Sequence, residues 1–529
     1  MLLNKIKEFP TIIRDTEFNK EFKRFISKVK KEYSYELQTT IEIMGEVIRD
    51  LTDLEACESR TYKRIKITVD SDFDGFASAK CMYHFLTGLG VPRERIELIP
   101  LSSLHRSEEI DVNNCLLVVT DTSYGNVVYK GSKFKVLWID HHEILFVNYL
   151  RARKELGETG LFVNISKSKD REIPGLSCGA FLLIYLNCVI ELIGLTPNNQ
   201  FHIKTELNRT CQLESLLSLI SDEREIGEYV GLVKGLYESH TNEFYENFKT
   251  RFTYNNHAYF RKYIAKINNL IRMERFDLIS DVIKDETDYN TVNEVQRMDE
   301  DRDALVYRYL EPAEPLYDFS NENVTIQVYE IPLSQNPVMR NLKGLMAGMK
   351  SPDKGNYIIF SGYTRNGVTY LSCRNNVNMN LIRYIKENTE VLEVGGHKPA
   401  FGVEIREDKL DDFVRLISKL RDKDLNQDSG SEEYLILKYP ELGSGIYDLS
   451  CIALYNEFNR KPVKVEFESD VFSHQVVEEK RTVYYLPLPT RESLQVVSFD
   501  LEVKDKIIGT PRLKQSIGEL GKLDILELK

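Results

Sequence analysis

The sequence predicts an α/β protein: a first lobe built on a mainly parallel sheet, a helical connector, a second mixed α/β lobe and a small β-rich C-terminal domain. Three observations predict it. Short apolar runs alternate with helical patterns between residues 65 and 229, as a parallel sheet covered on both faces requires. Long charged helical patterns fill about 238–303, and beyond the polar stretch 424–433 (DLNQDSGSEE) short alternating runs take over. At 529 residues the chain exceeds what one core usually serves, so the pattern is divided at 1–60, 61–237, 238–323, 324–423 and 434–529.

In chain order, residues 16–53 read as helical, with Lys20, Lys23, Arg24, Lys28, Lys30 and Lys31 interleaved with Phe18, Phe22, Phe25, Ile26 and Val29. An amphipathic helix with solvated lysines explains this better than a nucleic-acid contact. Residues 65–70, 116–121 and 136–140 read as strands, and 76–89 and 177–193 as helices. In such a sheet, functional residues gather beyond the carboxyl ends of the strands, where the strand order reverses. Each of these strands ends in aspartate. Segments 260–272 and 277–283 suit a connector without chemistry of its own. The second lobe offers strands at 357–360 and 368–373, a Gly395-Gly396-His397 turn and a closing helix at 409–420; the last domain offers strands at 463–467 and 482–488.

Composition narrows the classes. A net charge of −12 argues against indiscriminate polyanion binding, although carboxylates that hold cations add to that total and mask a local basic groove. Eight cysteines without any C-x-x-C spacing read as reduced thiols, so neither a zinc knuckle nor a disulfide framework is expected. Residues 1–14 carry charges where a signal peptide needs an apolar core, and the longest apolar stretch, 181–195, is interrupted by Asn187 and Glu191. The expectation is a cytoplasmic protein, neither secreted nor membrane-spanning.

The chemistry concentrates in Asp70-Ser71-Asp72-Phe73-Asp74-Gly75. Three carboxylates crowded in a low-dielectric cleft repel one another unless a cation neutralises them. Aspartate and glycine also favour turns, so a solvated acidic turn explains this motif alone equally well. Two further strands deliver Asp121 and Asp140-His141-His142 to the same rim, and Asp222 follows the apolar helix 213–220. Carboxylates with imidazole and no thiolate suit manganese or magnesium better than a structural zinc, and two adjacent ions fit the number of ligands.

These residues resemble the DHH phosphoesterase family, named for the triplet seen here as Asp140-His141-His142. The resemblance takes in Asp70 to Gly75 with Ser78, Asp121, a Ser177-Cys178-Gly179-Ala180 helix start and Asp222 in Ser221-Asp222-Glu223. In the second lobe Gly344-Leu345-Met346-Ala347, Ser372-Cys373-Arg374 and Gly395-Gly396-His397 are similar to the family's DHHA1 substrate-binding domain. The Asp-x-Asp-x-Asp-Gly opening is most similar to the RecJ branch of single-strand-specific exonucleases. The resemblance implies that Asp70, Asp72, Asp74, Asp121, His141 and Asp222 ligate or surround two Mn²⁺ or Mg²⁺ ions. Asp140 and His142 would stand in or just behind the ligand shell, and Arg374 and His397 would hold substrate phosphates. Gly395 and Gly396 let a phosphate approach backbone N–H groups, and the helix start at Ser177 and Gly179 is either a phosphate contact or an ordinary N-cap by Ser177. In the C-terminal region, where RecJ proteins carry an oligonucleotide-binding barrel, no matching signature is found; Tyr484, Tyr485 and Phe499 are either stacking surfaces or core.

The activity so implied is hydrolysis of single-stranded DNA from the 5′ end, with two cations activating water and no nucleophilic side chain. Two rivals stand beside it: a phosphodiesterase for short oligonucleotides, RNA or cyclic dinucleotides, and a non-catalytic DNA-binding or replication scaffold of the same fold.

Overall fold

The computed structural model describes residues 18–52, 61–101, 109–142, 146–165, 176–221 and 256–420, apart from 288, 322–323, 334–335, 353–354, 378 and 398. Beyond these it describes 436–438, 449, 452, 463–471, 474–478, 481–487, 493–498, 506–513 and 523–527. The chain divides into two compact units, one of residues 1–268, 276–292 and 434–529, the other of 269–275 and 293–433.

The first unit is organised by strands β1 (Arg64–Val69), β2 (Ile96–Pro100), β3 (Cys115–Thr120), β4 (Lys135–Asp140) and β5 (Gly160–Asn164). They form one parallel sheet in the order β2-β1-β3-β4-β5. Cys115-Leu116-Leu117-Val118-Val119-Thr120 is buried at every position, which explains why this run is continuous rather than alternating: both faces are covered. Leu117, Val119, Val136, Trp138 and Phe162 pack towards helix α4 (Phe146–Leu156) through Tyr149, Ala152 and Leu156. The other face carries α3 (Phe73–Gly88), which packs on β1 and on α5 (Cys178–Leu192) and α6 (Pro197–Ser221). Helices α3 and α5 bury nearly all their residues, so each reads as apolar all round instead of striped.

The N-terminal helical stretch is two helices, α1 (Phe18–Glu32) and α2 (Ser34–Thr52), divided at the buried Tyr33, where a single helical run was expected. The apolar face of α1, with Phe22, Phe25, Ile26 and Val29 buried, packs on α5. Connector helices α7 (Asn256–Arg272), α8 (Phe276–Lys284) and α9 (Tyr289–Leu305) follow. No helix among the described residues is long and apolar enough to cross a membrane.

The second unit holds a six-stranded mixed sheet of β6 (Tyr317–Asp318), β7 (Val324–Glu330), β8 (Asn356–Arg365), β9 (Val368–Asn375), β10 (Glu393–His397) and β11 (Ala400–Arg406). Its order is β10-β11-β9-β8-β7-β6. Helices α11 (Leu381–Asn388) and α12 (Leu410–Ile417) contribute Leu381, Ile385, Phe413 and Ile417 to its core, and α10 (Lys343–Met349) packs on β8 and β9. Gly395-Gly396-His397, expected as a turn, is strand, paired antiparallel with β11. A glycine pair is locally ambiguous, and the ladder to β11 decides it. The C-terminal region contains a seven-stranded mixed sheet.

Candidate metal centre

The strand order 2-1-3-4-5 reverses between β1 and β3, so the crevice lies beyond their carboxyl ends. Both strands end one residue short of an aspartate. Asp70 leaves β1, and two residues later Asp72 caps α3, its Oδ1 accepting the N–H groups of Asp74 and Gly75 at 3.0 Å each. That helix begins at Phe73, three residues earlier than the sequence pattern placed it, because Asp72 supplies the cap and Asp74-Gly75 form its first turn. Gly75 is required by the close approach: a Cβ there would stand 2.5 Å from Cβ of Asp70. Asp121 leaves β3 with a left-handed backbone, φ 57°. Aspartate tolerates that conformation at a cost of roughly 1–2 kcal/mol, and here it turns a carboxylate back into the crevice.

The two histidines after β4 each anchor Nδ1 on a fixed oxygen. His141 Nδ1 lies 3.3 Å from the Leu176 carbonyl, which only accepts, so Nδ1 carries the proton. Its Nε2 then faces Asp121 Oδ1 at 3.0 Å and Asp74 Oδ2 at 3.6 Å. His142 Nδ1 donates to Asp140 Oδ1 at 2.8 Å, which leaves Nε2 as the nitrogen that a cation would take in place of a proton. Asp140 spends its other oxygen on Asn164, whose Nδ2 donates to Oδ2 at 3.2 Å and to the His142 carbonyl at 3.0 Å. Asp140 is thereby an orienter of His142. Such carboxylate–histidine pairs fix the ring and its donor atom. Asn164, at the end of β5, was missed by sequence reasoning, although the signal was there: a polar residue closing an apolar strand, as at the other sites.

Asp74 sits at the N-terminus of α5. Its Oδ2 accepts Cys178 N–H and its Oδ1 accepts Gly179 N–H, both at 2.7 Å. The helix start expected to meet a substrate phosphate gives these N–H groups to this carboxylate instead, as helix N-termini favour any anion. Ser177 Oγ caps the same helix through Ala180 N–H and bonds Ser218 Oγ at 2.6 Å. Cys178 and Gly179 therefore hold a site carboxylate in place, and Ser177 is the cap of the helix that presents them. Asp222 lies outside the described residues.

Electrostatics bear on whether the residues suit a cation. Burial, and then the charge of Asp72, push Asp70 up to about 7. Burial, then the charges of Asp74 and Asp72, push Asp121 well above the carboxylate range. Burial also raises Asp74, with His141 opposing it. For Asp140 burial is outweighed by His142, which holds it below the usual range; reciprocally, burial of His142 is outweighed by Asp140 and the ring is raised to about 9. Asp121 Oδ1 is buried 3.0 Å from the His141 imidazole nitrogen. A proton or a shared cation joins two such atoms 3.0 Å apart, and two neighbouring ligands of one Mg²⁺ or Mn²⁺ stand about that far apart. Donor atoms of Asp121, His141 and His142 lie within 4.8 Å of one another. The residues fit a hard cation.

No protein-family model and no curated protein matches the sequence. Solved structures do. RecJ from Thermus thermophilus in complex with Mn²⁺ aligns with 93% of this chain and 71% of its own at a TM-score of 0.59 and 15% identity. The same protein in complex with Mg²⁺ aligns with 93% and 69% at a TM-score of 0.58 and 15% identity. The chain has the fold of RecJ. The expected α/β architecture, with its DHH and DHHA1 lobes, is thus borne out, at an identity low enough that topology carries the likeness.

Within this RecJ fold the second unit arranges its own predicted residues. Arg374 on β9 and His397 on β10 both stand opposite Ala400, one on each side of β11. Two strand spacings put their backbones about 10 Å apart. Gly395 and Ser372 likewise share Gly402, and Gly396 pairs with Phe401. The Arg374 guanidinium lies against α10, where a Cβ on Gly344 would stand 3.1 Å from Nη2; its Nη1 donates to the Cys373 carbonyl at 3.0 Å. The glycine of Gly344-Leu345-Met346-Ala347 makes room for that arginine.

Proposed function

We propose that this protein is a metal-dependent phosphodiesterase of RecJ type that degrades single-stranded DNA from an end, 5′ to 3′. The observation that carries the reading is the convergence of Asp121, His141 and His142, whose donor atoms lie within 4.8 Å of one another at the switch point of a RecJ fold. Asp70, Asp72, Asp74, Asp121 and His141 would hold Mn²⁺ or Mg²⁺, with His142 joining them and Asp222 as a further ligand. When bound, the cations lower the pKa of water and offset the charge of the scissile phosphate. Asp140 and Asn164 keep the His142 ring turned to the crevice, the α5 N-terminus holds Asp74, and Asp72 keeps Asp74 on a capped helix. Arg374, aligned with His397 across β11, offers a guanidinium fork suited to a phosphate.

Product analysis on 5′- and 3′-labelled single strands with Mn²⁺ tests the reading. Mononucleotides released from the 5′ end, and none after Asp140→Ala, are expected. Cleavage of di- and trinucleotides alone would replace the long strand by a short substrate, and binding without hydrolysis of any phosphodiester would leave a scaffold.

A further inference from the structure

The basic residues of α1 find no use in the metal centre. This helix holds Lys20, Lys23, Arg24, Lys28, Lys30 and Lys31 against Glu21 and Glu32, in a chain of net charge −12. Its apolar face is committed to α5, so it has none left to insert into a membrane. Lys30 is spent on Glu191, which it shares with Lys204, and Arg24 is partly matched by Glu21 at 3.2 Å. Lys23, Arg24 and Lys31 remain exposed.

At the corner where α1 passes into α2, Tyr35 is 60% exposed, and the Arg153 guanidinium of α4 sits 5.3 Å from its ring centre. Arg151, Arg153 and Lys154 of α4 are exposed too. A guanidinium of α4 thus reaches the aromatic ring that follows the basic helix α1 in sequence. Both α2 and α4 pack on β5, the edge strand whose last residue, Asn164, bonds Asp140.

We infer that the exposed face of α1, with Tyr35 and the Arg153 side of α4, is a binding track for single-stranded nucleic acid. Lys23, Arg24, Lys31 and Arg153 would meet phosphates, and Tyr35, backed by Arg153, would stack a base. Cations that follow a backbone with an interleaved aromatic are what a sequence-tolerant single-strand site needs. An acidic protein partner would use the charges but not the ring. This inference rests on the reading of the chain as a single-strand nuclease, which explains why a strand would be held on the unit that carries the metal centre.

The test is binding of a fluorescent single-stranded 30-mer in EDTA, across a salt series, by wild type, the triple variant Lys23→Glu, Lys31→Glu, Arg153→Glu, and Tyr35→Ala. The triple variant should bind at least tenfold more weakly, with the log–log salt slope smaller by about 2 for three lost phosphate contacts. Tyr35→Ala should weaken the 30-mer severalfold and leave inorganic polyphosphate unaffected. Lys23→Arg with Lys31→Arg should bind as wild type does, and all variants should melt at the wild-type temperature. Unchanged affinity and slope in the triple variant would overturn the track while leaving the nuclease reading intact. Salt-dependent binding lost in the variant, from a wild type that cleaves no phosphodiester with Mn²⁺, would uphold the track and overturn the nuclease reading. Equal loss of polyphosphate binding in Tyr35→Ala would overturn the stacking role.

Discussion

Asp121 concentrates the tension of the centre: it is buried, has a left-handed backbone, and one carboxylate oxygen lies 3.0 Å from an imidazole nitrogen. Asp121→Asn should therefore abolish Mn²⁺-dependent hydrolysis and the Mn²⁺-induced rise in melting temperature. The metal-free protein should melt no lower than wild type, because a costly buried charge is gone. A fall of several degrees in the metal-free melting temperature would show that Asp121 instead stabilises the fold. Asp70 gives the pH dependence. Its pKa is raised to about 7 in the folded protein from about 4 in an unfolded chain, so between these values the metal-free folded state holds a proton that the unfolded state has released. The associated stability is present at low pH and lost as pH rises through about 7. Relative to Asp70→Asn, metal-free wild type should thus lose melting temperature from pH 5 to pH 8, whereas its Mn²⁺ affinity should climb over the same range, since the ion displaces that proton. Parallel melting curves for the two proteins would refute the assignment. Asn164 acts through its neighbours, so Asn164→Ala should cost roughly 10- to 100-fold in metal affinity, the usual scale for a group that orients a ligand, read by Mn²⁺ titration.

Helix α3 ties the acids to the rest of the first unit. Its N-terminus carries Asp72 and Asp74, and two turns on, the fully buried Lys80 pairs with Glu214 of α6 at 3.0 Å and with Asp285, which follows α8, at 3.1 Å. Burial works against the charge on Lys80, but Glu214 and then Asp285 more than offset it. Tyr263 of α7 donates to the same Glu214 oxygen at 3.0 Å. Lys80→Met should destabilise the first unit by roughly 3–5 kcal/mol, as loss of one member of a buried pair does, and adding Glu214→Leu should restore much of it; chemical denaturation reads both. A double variant no more stable than the single one would show that the helices are held by packing alone. The pattern of elements was legible because buried parallel strands and all-apolar helices announce themselves in composition. The Lys80–Glu214 pair was not, since a lysine within a helix looks solvated until three other elements close over it. The α3 start was misplaced because Asp72 was read only as a ligand and not as a cap, and the Gly395-Gly396-His397 segment because its partner strand follows it in the sequence.

Across the whole molecule, the centre brings together residues from four separate strand ends and two helix starts, which is why spacing alone left the acidic motif ambiguous between a turn and a metal site. Asp121 and His141 are 20 residues apart in sequence and meet because β3 and β4 are neighbours in parallel register, Thr120 opposite Ile139. What no local pattern could reveal is that the α5 N-terminus is filled by Asp74. That arrangement makes metal binding a property of the first unit, with the acids, both histidines and the helix holding Asp74 all inside it. Hydrogen–deuterium exchange with and without Mn²⁺ reads this directly. Protection should rise at residues 70–75, 121–122, 140–142 and 177–180, because an ion bridging these strand ends suppresses their local opening, whereas residues 324–406 should exchange at the same rates in both conditions. Comparable protection of the second sheet, or none at the first unit's strand ends, would place the cation elsewhere and remove the basis for hydrolysis at this centre.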